Sequence, residues 1–181
     1  MFKTILVAFD GSDNAVFGLN KAIELGKLYS SKIIVFYSVQ HYFRTLRTFP
    51  IPFLGSVTDP IGLDAETEAT VFESHRNIGE RLLSGAKQLV DDAGLECETE
   101  LVVDKGPVEA AQLLVETKEI DLIIIGAKGT HGALSRGILG SVTTGIVNNV
   151  CTNIFVVRSE CGPHGKPQKE PKKQQKGKVK N

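Results

Sequence analysis

The sequence has few of the residues that build disulfide frameworks and metal sites. It contains three cysteines among 181 residues, an odd number, and none lies in a Cys-x2-Cys pair. None of the four histidines is spaced with a second histidine or a cysteine as a metal site requires. We therefore expect no disulfide framework and no metal ligands, and we expect the reducing cytoplasm as the location.

Long apolar runs are also missing. No run approaches the roughly 18–20 residues that a membrane-spanning helix needs. The first apolar run, residues 4–9, is followed at once by Asp10 and is too short for the core of a signal peptide. These absences argue against a membrane protein and against a secretory precursor.

Three common catalytic or nucleotide motifs are absent as well. No Gly-x-Gly-x2-Gly follows the first apolar run, and neither Gly-x4-Gly-Lys-(Ser/Thr) nor Gly-x-Ser-x-Gly occurs anywhere. The dinucleotide fingerprint, the P-loop and the hydrolase nucleophile elbow are therefore excluded. Hydride transfer and the common NTPase mechanism lose most of their support, and no catalytic residue is predicted.

Positive and negative charges are separated along the chain, although the formal net charge is zero. Residues 162–181 hold seven lysines and one glutamate, whereas residues 1–161 hold 14 basic and 20 acidic side chains. We expect an acidic folded domain at 1–161 and a disordered Lys-rich tail at 162–181. Because the tail has no aromatic or arginine residue for base stacking, nucleic-acid binding is not expected.

Short apolar stretches rich in β-branched residues alternate with helical patterns. The predicted strands are 4–9, 33–39, 97–103, 122–125 and 154–157. The predicted helices are 13–29, 64–93, one that opens at Gly106-Pro107, and 141 to about 150. In the second helix, the pattern turns Ile78, Leu82, Ala86 and Leu89 toward the core. The order of elements predicts an α/β fold with one open parallel sheet.

A long connection, residues 40–62, separates the second predicted strand from the second helix. It has aromatic and histidine residues near its start, and prolines at positions 50, 52 and 60. Connections of this length in compact domains are usually functional or mobile. A lid over a ligand and a dimer contact are both open interpretations.

The segment 126–140 carries the clearest chemical signal in the chain. It follows a buried strand, has five glycines in fifteen residues and ends in Gly140-Ser141, which opens a helix. Glycines expose bare backbone N–H groups, and a helix start adds unpaired donors and a positive dipole end. Lys128 and Arg136 could neutralise charge. We expect phosphate binding here, and the alternative is an ordinary glycine-rich connection before a capped helix.

Three features together resemble the universal stress protein family. They are the residues 5–12 (ILVAFDGS) at the first strand, the Gly106-Pro107 helix start, and the Gly-x2-Gly … Gly-Ser loop after the fourth strand. The resemblance covers about residues 1–160. It implies a Rossmann-like, five-stranded parallel sheet of order 3-2-1-4-5 with helices on both faces. It further implies the family branch whose Gly-x2-Gly-x9-Gly-(Ser/Thr) motif binds ATP, with or without Mg²⁺.

The resemblance also assigns individual residues. Gly126 and Gly129 match the first glycine pair of the motif, and Gly140-Ser141 match its end. Ten residues rather than nine separate Gly129 from Gly140. Asp10 matches an aspartate that bonds ribose hydroxyls. The predicted nucleotide site, with adenine neighbours first, comprises Ala8, Val39, Asp10, Gly126, Lys128, Gly129, Gly140, Ser141 and Val142.

The expected function is that of a cytoplasmic ATP-binding regulatory protein in a stress response, whose nucleotide controls conformation or partner binding. The resemblance implies a homodimer formed through the last strand, residues 153–158. The first alternative is a slow ATPase or phosphotransfer enzyme, although the sequence shows no general base and no acidic cluster beyond Asp10. The second alternative is a nucleotide-free interaction module, and the extra residue in the glycine loop is what favours it.

Overall fold

The computed structural model describes residues 1–40, 65–129 and 139–159, and five strands alternate with four helices along these residues. The strands are β1 (Thr4–Ala8), β2 (Lys32–Val39), β3 (Cys97–Val103), β4 (Leu122–Gly126) and β5 (Asn153–Val157). The helices are α1 (Asp13–Tyr29), α2 (Ala65–Asp92), α3 (Pro107–Lys118) and α4 (Ser141–Asn149). Each element lies within about a residue or two of its predicted position.

The strands form one parallel sheet of order β3-β2-β1-β4-β5. The central strand β1 pairs with β2 on one side, where Ile5 lies opposite Ile33, and with β4 on the other, where Ile5 lies opposite Leu122. The predicted α/β fold with strand order 3-2-1-4-5 is therefore confirmed. Strands β2 and β3 lie on one side of β1, and strands β4 and β5 lie on the other. The strand order therefore reverses between β1 and β4, and ligands bind at such a reversal in open sheets of this type.

The core forms two layers, one on each face of the sheet. Successive side chains of a strand point to opposite faces. Ile5 and Val7 accordingly pack with α1 and α2, whereas Leu6 packs with α3 and α4. All three side chains are 0% exposed. Burial on both faces explains why these strands read as continuous apolar runs rather than as alternating patterns.

The face that helix α2 turns to the sheet was predicted only in part: Ala86 is 1% exposed and Leu82 is partly buried against the core, as expected. Ile78 and Leu89 were expected in the core, but they are 45% and 48% exposed. The buried side chains of its second half are Leu83, Ala86 and Val90. The cause is Gly79, where an added Cβ would lie 2.6 Å from Cδ1 of Tyr37. The helix packs closely on the sheet at a glycine, which an apolar pattern does not count.

The two edges of the sheet differ in charge. On the outer strand β3, Glu98 pairs with Lys118, and with Lys32 at 2.7 Å, while Glu100 pairs with Lys118 at 2.8 Å. The hydrogen bonds from Lys118 and Lys32 lower the pKa of the Glu98 carboxyl from 4.5 to about 2. Charges on an edge strand oppose pairing with another strand. The other edge strand, β5, instead carries Phe155, which is 42% exposed.

Three predictions lie wholly or mostly outside the described residues. These are the connection at 40–62, of which only Gln40 is described, the tail at 162–181, and the position of Arg136. Within the described ranges, no helix is both long and apolar enough to cross a membrane.

Candidate functional site

The carboxyl ends of β1 and β4 lie side by side, because β1 and β4 pair in parallel at the reversal of strand order. Asp10 comes two residues after β1, and Lys128 and Gly129 follow the end of β4. Helix α4 starts at the same edge, since the Gly140 N–H donates to the Ala127 carbonyl at 2.8 Å. The fold thus brings the Asp10 turn and both ends of the glycine segment together.

The Asp10 carboxylate lies directly against Gly129. A Cβ added at Gly129 would lie 2.5 Å from Oδ2 of Asp10, closer than real Cβ atoms come to such a neighbour. The other carboxylate oxygen, Oδ1, accepts a hydrogen bond from the Ser12 N–H at 3.0 Å. Glycine is therefore required at position 129 for this carboxylate to keep its place, whatever the ligand.

The turn after Asp10 explains the Asp-Gly-Ser sequence. Gly11 has φ +76, in the left-handed region that favours glycine. An added Cβ there would lie 2.8 Å from Cδ2 of Leu82 in α2. Ser12 then caps α1, because its Oγ accepts from the Ala15 N–H at 3.2 Å. Backbone conformation therefore explains Gly11, and helix capping explains Ser12. Together these two residues orient the Asp10 carboxylate.

Three consecutive carbonyl groups, those of residues 126–128, accept hydrogen bonds from the start of α4 and from the first turn of α1. Thr143 Oγ1 donates to the first at 2.8 Å, the Gly140 N–H to the second at 2.8 Å, and Asn14 Nδ2 to the third at 3.2 Å. The Thr143 side chain is 2% exposed, so its hydroxyl requires such a partner. The described start of the glycine segment is therefore held in one geometry before any ligand arrives.

Within the described part of the chain, no side chain caps the start of α4. Gly140 occupies the N-cap position. Ser141 is the first residue of the helix, and its side chain is exposed. Ser141 therefore does not cap its own helix. Because Gly140 offers no side chain to the first N–H groups, this helix start can donate to an anion. Val142, the second helical residue, is half-buried.

Among the residues that the structure describes, none crowds Gly140. An added Cβ would meet the Ala127 oxygen and the Lys128 Cα at 3.5 Å, an ordinary contact. Its φ of −62 is open to any residue. The described contacts therefore do not demand a glycine at this position.

The two predicted adenine neighbours lie at the carboxyl ends of adjacent strands. Ala8 ends β1 and is half-buried, and Val39 ends β2 with 2% of its surface exposed. The Val39 carbonyl accepts the Asp104 N–H at 2.9 Å. Because only 2% of Val39 is exposed, its side chain packs inside the protein.

Sequence reasoning missed Asn14 and Thr143, whose side chains hold the glycine segment. Thr143 gave a faint signal, as a polar residue between Val142 and Ile146 on the inward face of a helix. Asn14 gave none, because its partner is 114 residues away in the sequence. Among the residues described, no group of three or more His, Cys, Asp or Glu side chains could hold a metal ion.

Comparison with known proteins identifies relatives over nearly the whole folded part. A sequence model of the universal stress protein family matches residues 1–158. A protein of Staphylococcus saprophyticus that carries the universal stress protein name is 29% identical over 160 residues, covering 88% of this chain and 85% of its own length.

Solved structures of the same fold include several with that family name. UspA of Lactobacillus plantarum has a TM-score of 0.68 at 21% identity, covering 87% of this chain and 98% of its own. A protein of Archaeoglobus fulgidus in complex with dAMP has 0.55 at 19% identity, with coverages of 86% and 97%. One of Arabidopsis thaliana with AMP bound has 0.56 at 13% identity, with coverages of 87% and 96%.

Proposed function

This chain belongs to the universal stress protein family, and we propose that it binds an adenine nucleotide, ATP first among them, at the carboxyl edge of β1 and β4. The observation that carries the proposal is the Asp10 carboxylate lying against Gly129, beside the uncapped start of α4. A carboxylate accepts hydrogen bonds from hydroxyls, and a helix start donates them to phosphate. Sugar and phosphate therefore both find partners at one edge.

Each predicted site residue takes one role in the proposed complex. Asp10 accepts from the ribose hydroxyls, and the side chain of Lys128 offsets phosphate charge. The adenine lies over the ends of β1 and β2, near Ala8 and Val39. The phosphates approach the backbone of Gly126, Gly129, Gly140, Ser141 and Val142, with a Mg²⁺ ion carried by the phosphates.

The ligands of solved relatives support an adenine nucleotide more directly than they support ATP. The Archaeoglobus and Arabidopsis proteins hold dAMP and AMP, which share the adenine base and one phosphate with ATP. dAMP lacks the 2′-hydroxyl, so one sugar hydroxyl is enough for that relative. For this chain, the monophosphates belong in every binding experiment beside ATP.

The proposed role is regulatory, in the cytoplasm and in a stress response, with the nucleotide controlling conformation or partner binding. A homodimer through residues 153–158 fits the asymmetry of the sheet. The β3 edge is charged, whereas the β5 edge presents Phe155, 42% exposed. Exposed sheet edges need covering, and a second copy of β5 would cover this one.

The first experiment asks which nucleotide the protein carries. The purified protein is denatured, and the supernatant is chromatographed for AMP, ADP and ATP. The stripped protein is then heated with each nucleotide, with and without Mg²⁺. A ligand at a hundred times its Kd should stabilise the fold by about 2.7 kcal/mol. Absence of released nucleotide, together with no thermal shift, would contradict the proposal and favour a nucleotide-free module.

Two glycine variants locate the ligand. Gly140→Val fills the space beside the start of α4, so nucleotide affinity should fall. Gly85→Val is the matched control, because an added Cβ at Gly85 meets nothing within 4 Å and the residue lies on the exposed face of α2. Equal affinity in both variants would place the ligand elsewhere.

Hydrolysis or phosphotransfer remains the alternative that the same material tests. ADP that accumulates with time from ATP, and stops accumulating in Asp10→Ala, would indicate an enzyme. ATP that stays intact over the same incubation, while still producing the thermal shift, would support a binding role.

A further inference from the structure

Asn14 connects three segments of the chain at the carboxyl edge of the sheet. Its Nδ2 donates to the Lys128 carbonyl at 3.2 Å. Its Oδ1 accepts from both the backbone N–H of Ser159 at 2.7 Å and the Ser159 hydroxyl at 3.0 Å. One side chain therefore links the first turn of α1, the glycine segment after β4 and the chain that follows β5.

A close contact with Gly126 brings Asn14 within reach of the glycine segment. A Cβ added at Gly126 would lie 2.7 Å from the Asn14 Cβ and 3.2 Å from its carbonyl carbon. Gly126 is buried. The first glycine of the segment therefore allows α1 to cross the end of β4, and this crossing sets the position of the Asn14 amide.

The amide side chain of Asn14 meets two demands at once. The Lys128 carbonyl needs a donor, and the Ser159 N–H needs an acceptor. An asparagine amide offers both, an aspartate offers only acceptors, and an aliphatic side chain offers neither. A substitution can therefore remove one bond or both, and the two effects can be measured separately.

We infer that Asn14 is a positioning residue for the nucleotide. Its hydrogen bond to the Lys128 carbonyl holds the Lys128–Gly129 segment in the position where Gly129 contacts the Asp10 carboxylate. This inference rests on the proposed function, because the segment it holds is the one proposed to approach the phosphates. Asp10 and Asn14 belong to the same turn and helix start, so one short stretch fixes both the carboxylate and the segment facing it. Asn14 acts through Lys128 and contacts no ligand itself.

The first test does not depend on any ligand. The Gly140 N–H bonds the Ala127 carbonyl at 2.8 Å, next to the carbonyl that Asn14 holds, so its hydrogen exchange reports on the segment. Asn14→Ala should accelerate that exchange about tenfold, as expected for loss of one hydrogen bond. Asn14→Asp, which keeps the acceptor and loses the donor, should do the same. Unchanged exchange in either variant would overturn the inference.

The second test measures the Kd of AMP and of adenosine. In Asn14→Ala the Kd of AMP should rise about tenfold, whereas that of adenosine should change less than about twofold, because adenosine has no phosphate to meet the segment. Alanine is a better helix former than asparagine, so α1 should persist. Equal weakening of both ligands, or of neither, would contradict a positioning role.

Ser159→Ala is the matched control. It removes the hydroxyl bond to Asn14 and leaves the bond to Lys128, so the Kd of AMP should stay within about twofold of the wild-type value. A loss as large as in Asn14→Ala would overturn the assignment to Lys128. If the wild-type protein binds neither AMP nor any other adenine nucleotide, the proposed function fails, and the exchange of the Gly140 amide then tests only whether Asn14 holds the Lys128–Gly129 segment.

Discussion

Replacing Gly129 with alanine should weaken nucleotide binding by displacing a neighbouring carboxylate. The added Cβ would lie 2.5 Å from Oδ2 of Asp10, and an ordinary contact begins near 3.4 Å, so the carboxylate must move by about 0.9 Å. That movement disturbs the bond from the Ser12 N–H, which is 3.0 Å long. It also takes the carboxylate out of reach of the proposed sugar hydroxyl.

The expected loss follows from the charged hydrogen bond to the sugar. Such bonds contribute about 1.5–3 kcal/mol, so the Kd of AMP should rise by about tenfold to a hundredfold. The fold itself should persist. Gly129 is exposed, and alanine in place of glycine at a compatible position changes stability by only about 1 kcal/mol. The assay is calorimetric titration of the stripped protein, with urea unfolding of the same sample.

A double-mutant cycle with Asp10→Asn separates this mechanism from a direct clash with the ligand. If Gly129→Ala acts through Asp10, the double variant should bind AMP no more weakly than Asp10→Asn alone. Residues in contact show such non-additivity, whereas independent effects sum to within about 0.5 kcal/mol. Additive losses, or wild-type affinity in Gly129→Ala, would refute the reasoning.

Four further predictions concern stability, assembly and loop length. The pKa of Glu98 is about 2 in the folded protein against an ordinary value of 4.5, so the stability that this carboxylate contributes is present above pH 4.5 and is lost as the pH falls toward 2. In urea unfolding, the difference in free energy of unfolding between wild type and Glu98→Gln should therefore shrink between pH 4.5 and 2. Gly79→Ala should destabilise the fold by about 1–3 kcal/mol, since α2 must move away from the sheet, while Gly85→Ala should not destabilise it. Phe155→Lys should shift a sedimenting dimer to monomer and leave AMP affinity unchanged. Deleting Gly132 should change the Kd of AMP by less than about threefold, and a tenfold change in titration would show that loop length matters.

The fold was readable from the sequence because its signals are local. The buried strands are short apolar runs, and the turn at Gly11 and the helix start at Pro107 follow from single residues. The face of α2 was only partly predictable: Ile78 and Leu89 were placed wrongly, because Gly79 lets the helix contact Tyr37 and a glycine adds nothing to an apolar stripe. An apolar pattern depends only on the residue types along the helix, whereas the rotation of the helix about its axis also depends on the side chains of the sheet against which it packs.

The candidate site was readable only as far as its backbone. The glycines mark where the chain bends, and the resemblance to the universal stress protein family assigns Asp10 and Gly129 to the site. The side chains that hold these pieces together could not be chosen. Asn14 is 114 residues from Lys128 and 145 from Ser159, and such pairs become visible only when the sheet is assembled.

The extra residue between Gly129 and Gly140 is a weak argument against nucleotide binding, because the two ends of the loop contact each other. The Gly140 N–H bonds the Ala127 carbonyl at 2.8 Å, and a Cβ at Gly140 would lie 3.9 Å from the Gly129 nitrogen. Lengthening a closed loop from nine to ten residues costs only about 0.1 kcal/mol in closure entropy. Contact between the ends therefore matters more to a phosphate than the number of residues between them. By that criterion the nucleotide-free alternative loses the one feature that favoured it.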